Sequence, residues 1–150
     1  MPVTFLRPAW HMENFWRDIP PTRETGVVPS FLQPLDRLVP MVATEDVGST
    51  AGELIFDSWV GLRVVELEGP TGVSPQQTAE IIGVLLGRQV RMETVPRDTW
   101  ELLLLSQGMK NPTSRIQMLD GFHEGWIEFE GDARKGRLTL INVLASMIDR

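Results

Sequence analysis

Neither cysteine nor tyrosine occurs in this sequence. The absence of cysteine excludes disulfide bonds, thiolate nucleophiles and cysteine-ligated metals, and it is compatible with a reducing compartment. The absence of tyrosine removes one common type of catalytic side chain. Because cysteine is absent and nothing in the sequence directs the protein elsewhere, we expect a cytoplasmic protein.

Long apolar runs and concentrated basic charge are also missing. No run approaches the roughly 18 apolar residues that cross a bilayer. The 14 basic residues are scattered among 20 acidic ones, which gives a net charge of −6, whereas binding to nucleic acid needs a concentrated basic face. We therefore expect neither a membrane nor a nucleic acid as partner.

The motifs of self-sufficient enzymes are absent as well. There is no G-x-S-x-G, no H-E-x-x-H, no P-loop, and no G-x-G-x-x-G after a strand. Only two histidines are present, and His123 has no set of acidic or histidine neighbours at ligand spacing, so no metal site is predicted. The alternating Glu128 and Glu130 are typical of a solvated segment. The residues therefore predict no catalytic group.

The remaining composition is that of a folded protein. Apolar residues make up 42% and charged residues 23% of the 150 positions, which are ordinary globular values. This length suits one domain. We treat residues 1–150 as a single but incomplete domain, because the opening strand is predicted to need neighbours.

The opening stretch, residues 2–14, predicts a strand that needs neighbours. Val3 and Phe5 alternate with Thr4 and Leu6, and this largely apolar pattern suits a strand covered on both faces. Pro8 then removes a backbone donor and ends the pairing. The next residues must leave at the carboxyl end of the sheet, where open α/β sheets place their ligands.

The rest of the chain alternates strands and helices, which predicts an α/β fold. Ser74 and Gln77 form a capping box for a helix with Pro75 at its first position. Thr44 and Asp46 are predicted to cap another helix. The predicted strands cover residues 38–43, 62–67 and 89–95, and the predicted helices begin near residues 44, 75, 97, 113 and 140. Residues 130–137 are a predicted loop, and residues 18–33 are a predicted loop with at most a short strand at residues 26–31.

Two aromatic clusters have alternative interpretations. Trp10, Met12 and Phe15 are either a core wedge or the wall of an apolar pocket with His11 and Asn14 as its polar points, and both can hold. The second cluster, Met118, Phe122 and Trp126, forms a stripe at helical spacing. Such a stripe is more often part of the core than of a ligand site.

Five segments carry a family resemblance, namely FLRPAWHMEN (residues 5–14), VATEDVG (42–48), VVELEGP (64–70), W…QGM (100–109) and LDGFHEGWIEFEG (119–131). Together they resemble the carboxyl-terminal half of NmrA-like proteins, atypical short-chain dehydrogenases/reductases that bind NAD(P). The resemblance covers nearly the whole chain. It implies the carboxyl-terminal part of a Rossmann-like NAD(P)-binding fold plus a small α/β substrate lobe, without the glycine-rich amino-terminal half.

The resemblance also implies roles for individual residues. Pro8, Ala9 and Trp10 would approach the nicotinamide of NADP or NAD. His11 stands where the family commonly has phenylalanine, and it would make the pocket more polar. The substrate-binding set comprises His11, Met12, Asn14, Phe15, Met118, Phe122 and Trp126. Because the family holds the pyrophosphate on a glycine-rich helix amino terminus that this chain lacks, we expect weak or absent coenzyme binding by this chain alone.

Three functions remain open on these grounds. The first is the substrate-side portion of an NAD(P)H-dependent reductase or redox sensor, active with a complementary amino-terminal half. The second is a nonenzymatic module that binds a small-molecule ligand or self-associates through an exposed strand edge. The third is a gene remnant without function. Separately, the start beside the opening strand suggests a truncated reading frame, an internal start or a split gene.

Overall fold

The computed structural model describes residues 1–148 as a mixed α/β structure whose strand pairs are parallel. Two 3-10 helices, Met12–Arg17 and Arg97–Thr99, interrupt the alternation. The strands are β1 (Val3–Pro8), β2 (Trp10–His11), β3 (Val27–Ser30), β4 (Met41–Val42), β5 (Leu62–Glu68), β6 (Arg91–Thr94) and β7 (Arg134–Lys135). The helices are α1 (Ile19–Thr25), α2 (Thr44–Ile55), α3 (Pro75–Leu86), α4 (Trp100–Ser106), α5 (Thr113–Glu124) and α6 (Leu140–Ile148).

The opening strand pairs along its whole length with β5, and the predicted strands at both places are confirmed. The register runs from Val3 opposite Leu62 to Pro8 opposite Leu67. Strand β7 continues the sheet on the far side of β5, so that the order is β1-β5-β7 and β1 is an edge strand. Because the pairing is parallel, the carboxyl ends of β1 and β5 lie side by side.

One face of this sheet is open within the described part of the chain. Phe5 is opposite Val64, and in-register partners point to the same face of a parallel sheet. Phe5, Leu62 and Val64 are 53%, 66% and 46% exposed. No element of residues 1–148 buries that face, so these residues do not supply the cover on both faces that the sequence predicts.

Helix α3 has the predicted local signals. The Ser74 side chain accepts a hydrogen bond from the Gln77 N–H, and the Gln77 side chain accepts one from the Ser74 N–H. Pro75 occupies the first turn, and Gly87 ends the helix in the left-handed conformation at φ 64°. The capping box is confirmed, since all its members are close in sequence.

The predicted caps of helix α2 are wrong. Ala43 holds the cap position, and the Glu13 carboxylate accepts hydrogen bonds from both the Thr44 N–H (2.9 Å) and its hydroxyl (2.8 Å). Asp46 is buried and accepts the N–H groups of Arg137 and Leu138, each at 2.9 Å. Both carboxylates bind residues that are distant in sequence, so a capping rule based on neighbouring residues could not predict these contacts.

The segment predicted as a loop at residues 18–33 contains a helix and a strand. Pro20 and Pro21 lie in the first turn of α1, where a missing N–H is tolerated, and Gly26 ends the helix at φ 70°. Strand β3 then pairs with β6. The short strand predicted within residues 26–31 is confirmed. The prolines and Gly26 mark the two ends of a helix that was not predicted.

The core lies between the helices and the short strands. Trp100 is fully buried, and its indole N–H donates to the Val95 carbonyl at 2.9 Å. The other large side chains of the core include Met12, Met41, Ile82, Leu119 and Leu144. In residues 1–148 no helix has both the length and the apolar character that a membrane span requires.

Candidate functional site

A cavity of about 480 Å³ lies at the carboxyl ends of β1 and β5. We call it the strand-end cavity. Three segments line it, namely Arg7, Pro8, Ala9 and Glu68 from the strands, residues 32–33 and 37–40 from the loop before β4, and residues 122–123, 127–129 and 131 from the end of α5 and the following loop. Its position is the one where parallel α/β sheets bind their ligands.

The floor of the cavity is fixed by backbone pairing. The Ala9 N–H donates to the Leu67 carbonyl at 2.8 Å, which continues the β1–β5 ladder by one residue beyond Pro8. Proline and alanine present little side-chain bulk at this point. The floor therefore admits a flat ring close to the backbone.

A buried carboxylate holds the loop that closes one side. Glu66 is 9% exposed and accepts hydrogen bonds from the Glu130 N–H (3.0 Å) and the Gly131 N–H (3.2 Å). Its other oxygen lies 3.3 Å from the Arg7 guanidinium, which also pairs with the exposed Glu130 side chain at 2.9 Å. Buried charges need this kind of compensation, so Glu66 fixes the loop rather than serving as a free acid.

His123 is fixed in one orientation at the wall. Its Nε2 accepts a hydrogen bond from the Gln33 N–H at 3.2 Å, and its ring lies 5.4 Å from that of Trp100. Because Nε2 is an acceptor, the neutral ring carries its proton on Nδ1. The Arg37 guanidinium donates to the His123 carbonyl at 3.4 Å and lies 3.7 Å from Glu128.

In residues 1–148 no three acidic or histidine side chains are grouped to hold a metal ion.

A second cavity of about 550 Å³ lies beside the first. We call it the Trp10 cavity. It is lined by Trp10 and residues 14–15, 17–18, 21, 29–32, 75, 92, 103–104, 107, 109 and 115. Trp10 of this wall and Phe122 of the strand-end cavity meet edge to face, with ring centroids 5.7 Å apart. Leu32 lines both cavities.

One acid in the Trp10 cavity has a perturbed pKa. Burial raises the pKa of Asp18 to about 6, against the opposing effect of the Arg115 and Arg17 charges. Its side chain does not cap helix α1. An acid that is partly withdrawn from water in an apolar cavity is a feature of binding sites.

The structure divides the predicted site residues between the two cavities. Pro8, Ala9 and Phe122 line the strand-end cavity, whereas Trp10, Asn14 and Phe15 line the Trp10 cavity. The other four predicted residues line neither: His11 is partly buried in β2, Met12 is 1% exposed in the core, Met118 packs against the core, and Trp126 is 62% exposed beyond the end of α5. Their roles in binding stay predictions.

Several polar residues of the strand-end cavity were missed by the sequence analysis. Gln33 and Arg37 come from a loop, and Glu68 comes from the end of β5. Only the position of Glu68 at a strand end was a usable signal, since ligands gather at such ends. No spacing in the sequence links it to Gln33 or Arg37.

Comparisons with known proteins establish the fold. No family model matches the sequence. A nucleoside-diphosphate-sugar epimerase of Staphylococcus aureus superposes with a TM-score of 0.70 at 17% identity, covering 95% of this chain and 51% of that one. An NADPH-dependent quinone oxidoreductase of Escherichia coli, complexed with NADPH, superposes with a TM-score of 0.76 at 20% identity, covering 96% of this chain and 53% of that one. The chain therefore has a mixed α/β fold like that of the matching parts of these two structures.

The likeness in sequence is more limited. Prestalk A differentiation protein A of Dictyostelium discoideum is 25% identical over 73 residues, which are 49% of this chain and 24% of that protein. The chain thus spans about half the length of the two solved structures. The stretch that matches the Dictyostelium protein spans about a quarter of that protein.

Proposed function

We propose that this chain is the substrate-side portion of an NAD(P)H-dependent reductase of the NmrA-like kind, and that the strand-end cavity receives an electrophile such as a quinone. The observation that carries the proposal is the cavity itself, because it lies where the parallel strands β1 and β5 end together. Its volume of about 480 Å³ falls in the range of small-molecule sites.

The lining residues suit a flat, weakly polar substrate. Pro8 and Ala9 leave room for a ring against the backbone, and Phe122 offers an apolar wall. The Arg37 guanidinium and the Gln33 side chain supply hydrogen-bond donors for carbonyl oxygens at the mouth. These residues bind and orient the substrate, while bound NAD(P)H supplies the hydride.

Within residues 1–148 we assign one end of the coenzyme to this chain. The nicotinamide suits the space beside Pro8 and Ala9, but a pyrophosphate needs free N–H groups at a helix amino terminus. The N-terminal turn of α3 is already capped by Ser74 and Gln77. Gly69 is explained by close packing, since a Cβ there would lie 2.5 Å from the Met41 carbonyl oxygen.

We therefore assign the pyrophosphate to a complementary portion that packs on the open sheet face. A strand-helix-strand unit suits this surface, because β1 has a free edge for one more parallel strand and Phe5, Leu62 and Val64 offer an apolar face for a helix. The solved structures, which are about twice as long as this chain, are consistent with such an addition. Self-association through the same edge is the alternative.

The test joins the amino-terminal half of the Escherichia coli quinone oxidoreductase to Pro2 of this chain. We expect the chimera to bind NADPH in a titration of tryptophan fluorescence and to consume NADPH when menadione is added. The isolated chain should bind NADPH at least about 100-fold more weakly, because it lacks the pyrophosphate site. Sedimentation analysis of the isolated chain tests self-association.

A pair of variants of the chimera locates the substrate. Ala9→Phe fills the strand-end cavity and should lower kcat/KM for menadione by roughly 10-fold or more. Val84→Phe is the control, since Val84 is 76% exposed on α3, outside the cavity. Tight NADPH binding by the isolated chain would contradict the proposed division of the coenzyme site. A folded chimera that binds NADPH but reduces menadione equally well with Ala9→Phe would reject the proposed substrate site.

A further inference from the structure

We propose that the Trp10 cavity is a second small-molecule site, which binds a flat aromatic ligand through an uncharged hydroxyl group. This site lies apart from the strand-end cavity and requires no coenzyme. The proposal goes beyond the reductase function and does not depend on it.

The cavity has the size and walls of a ligand site. Its volume of about 550 Å³ lies within the usual range for small molecules. Aromatic rings of Trp10, Phe15 and Phe31 form part of the wall, and Leu103 and Met109 add apolar surface. Such walls favour a planar apolar body, because rings stack edge to face or offset on one another.

Asp18 gives the cavity an acceptor. Its carboxyl lines the cavity and does not cap helix α1, and no hydrogen bond contributes to its perturbed pKa. Within residues 1–148 it forms no ion pair with Arg17 or Arg115. A carboxyl group that is partly withdrawn from water needs a donor. A ligand hydroxyl would be that donor.

The neighbouring charges select an uncharged donor. Arg17 and Arg115 line the same cavity, and together with ionised Asp18 they give it one net positive charge. An ammonium ligand would therefore be repelled by the two guanidinium groups. A phenolic hydroxyl donates to Asp18 without adding positive charge, and its ring can face the wall at Trp10.

The Trp10 indole supplies a means to locate the ligand. Its ring lies 5.7 Å from that of Phe122, and the Arg115 guanidinium lies 6.0 Å from its centroid. Its Nε1 is buried and has no hydrogen-bond partner among the described residues. The indole N–H resonance of Trp10 should therefore respond to a ligand in this cavity, whereas that of Trp59, which donates to the Val3 and Gly61 carbonyls, should not.

The experiment compares naphthol with its methyl ether by calorimetric titration of the 150-residue chain. The two probes share the ring system, but only naphthol donates a hydrogen bond. We expect naphthol to bind roughly 10-fold more tightly or better, which is the usual effect of one hydrogen bond to a charged group. In the nuclear magnetic resonance spectrum, naphthol should shift the Trp10 indole signal and leave that of Trp59 in place.

Two variants at Asp18 and one elsewhere complete the test. Asp18→Leu should remove the preference for naphthol, and Asp18→Asn, which keeps an acceptor oxygen and the shape, should retain part of it. Val84→Ala, on the exposed face of α3 and outside both cavities, should leave both affinities within about twofold. Equal binding of the two probes to the unaltered chain, no binding of either, or a naphthol preference that survives in folded Asp18→Leu would overturn the proposal.

Discussion

The indole of Trp10 and the ring of Phe122 meet edge to face, with centroids 5.7 Å apart and an interplanar angle of 73°. Trp10 belongs to the wall of one cavity and Phe122 to the wall of the other. This aromatic pair, together with Leu32, therefore separates two spaces of similar volume.

Phe122→Ala should remove half of this partition and lower the free energy of unfolding by about 2–4 kcal/mol. The loss combines the transfer term of the ring with the cavity that it leaves. Urea unfolding measures the effect. Leu102→Ala is the control, since Leu102 is 75% exposed and its truncation should cost less than about 0.5 kcal/mol. Equal losses in the two variants would show that the aromatic pair contributes no packing.

The contribution of Asp18 to the free energy of unfolding should fall as the pH rises from about 4 to about 6. Burial raises its pKa to about 6, above the ordinary value of 3.8, so in this range the folded state holds a proton that the unfolded state has lost. The contribution is present below the unfolded pKa and is lost as the pH passes the folded pKa. Its size is about 2–3 kcal/mol.

Asp18→Asn tests this sign, because asparagine keeps the shape and does not titrate. The variant should gain stability over the unaltered chain at neutral pH, and the gain should shrink toward about pH 4. Urea unfolding across this range measures both slopes. Glu24→Gln is a suitable matched control, since Glu24 is exposed on α1. A neutral-pH stability that is unchanged in Asp18→Asn would contradict the raised pKa.

Glu66→Gln should loosen the loop that follows helix α5. The carboxylate accepts the N–H groups of Glu130 and Gly131 and lies 3.3 Å from Arg7, and the amide loses the negative charge that strengthens these contacts. We expect a loss of about 1.5–3 kcal/mol and faster hydrogen exchange at both N–H groups. Glu130→Gln is the control, because that side chain is 81% exposed and its pairing with Arg7 is worth little. The same exchange rates in both variants would assign the loop's order to other contacts.

Phe5→Lys should have different effects on the stability of the isolated chain and on the packing of the complementary portion against it. Phe5 is 53% exposed on the open sheet face, so the isolated chain should lose less than about 1 kcal/mol. In the chimera described above, the same change would bury a lysine beneath the added helix and should lower its melting temperature strongly. Val84→Lys serves as the comparison, because Val84 is exposed on α3 and lies outside the sheet. Equal tolerance of Phe5→Lys in both proteins would mean that this face stays uncovered.

The sequence predicted well whatever depends on near neighbours. The Ser74 capping box was predicted correctly because its residues are neighbours in sequence. Residues 62–67 were predicted as a strand from their own apolar pattern, although their partner β1 is distant in sequence. Glu13 on Thr44 and Asp46 on Arg137 were missed, since these hydrogen bonds join residues 31 and 91 positions apart. Long-range carboxylate contacts leave no periodic signal in a single sequence.

The candidate site shows the same limit. Pro8 and Ala9 were assigned to a ligand site through the end of a strand, and they do line the strand-end cavity. Trp10, the next residue in the same motif, lines the other cavity. Neighbouring residues of a short extended segment point to opposite sides, so one continuous motif was divided between two spaces.

The Glu66 carboxylate in β5 binds the N–H groups of residues 130–131. The Asp46 carboxylate in α2 binds those of residues 137–138. A protease that cuts in the exposed segment between Gly125 and Glu130 would therefore sever the polypeptide without releasing its last part at once. The two pieces should comigrate under native conditions and separate in denaturant, so the chain would behave as a noncovalent heterodimer of its own fragments.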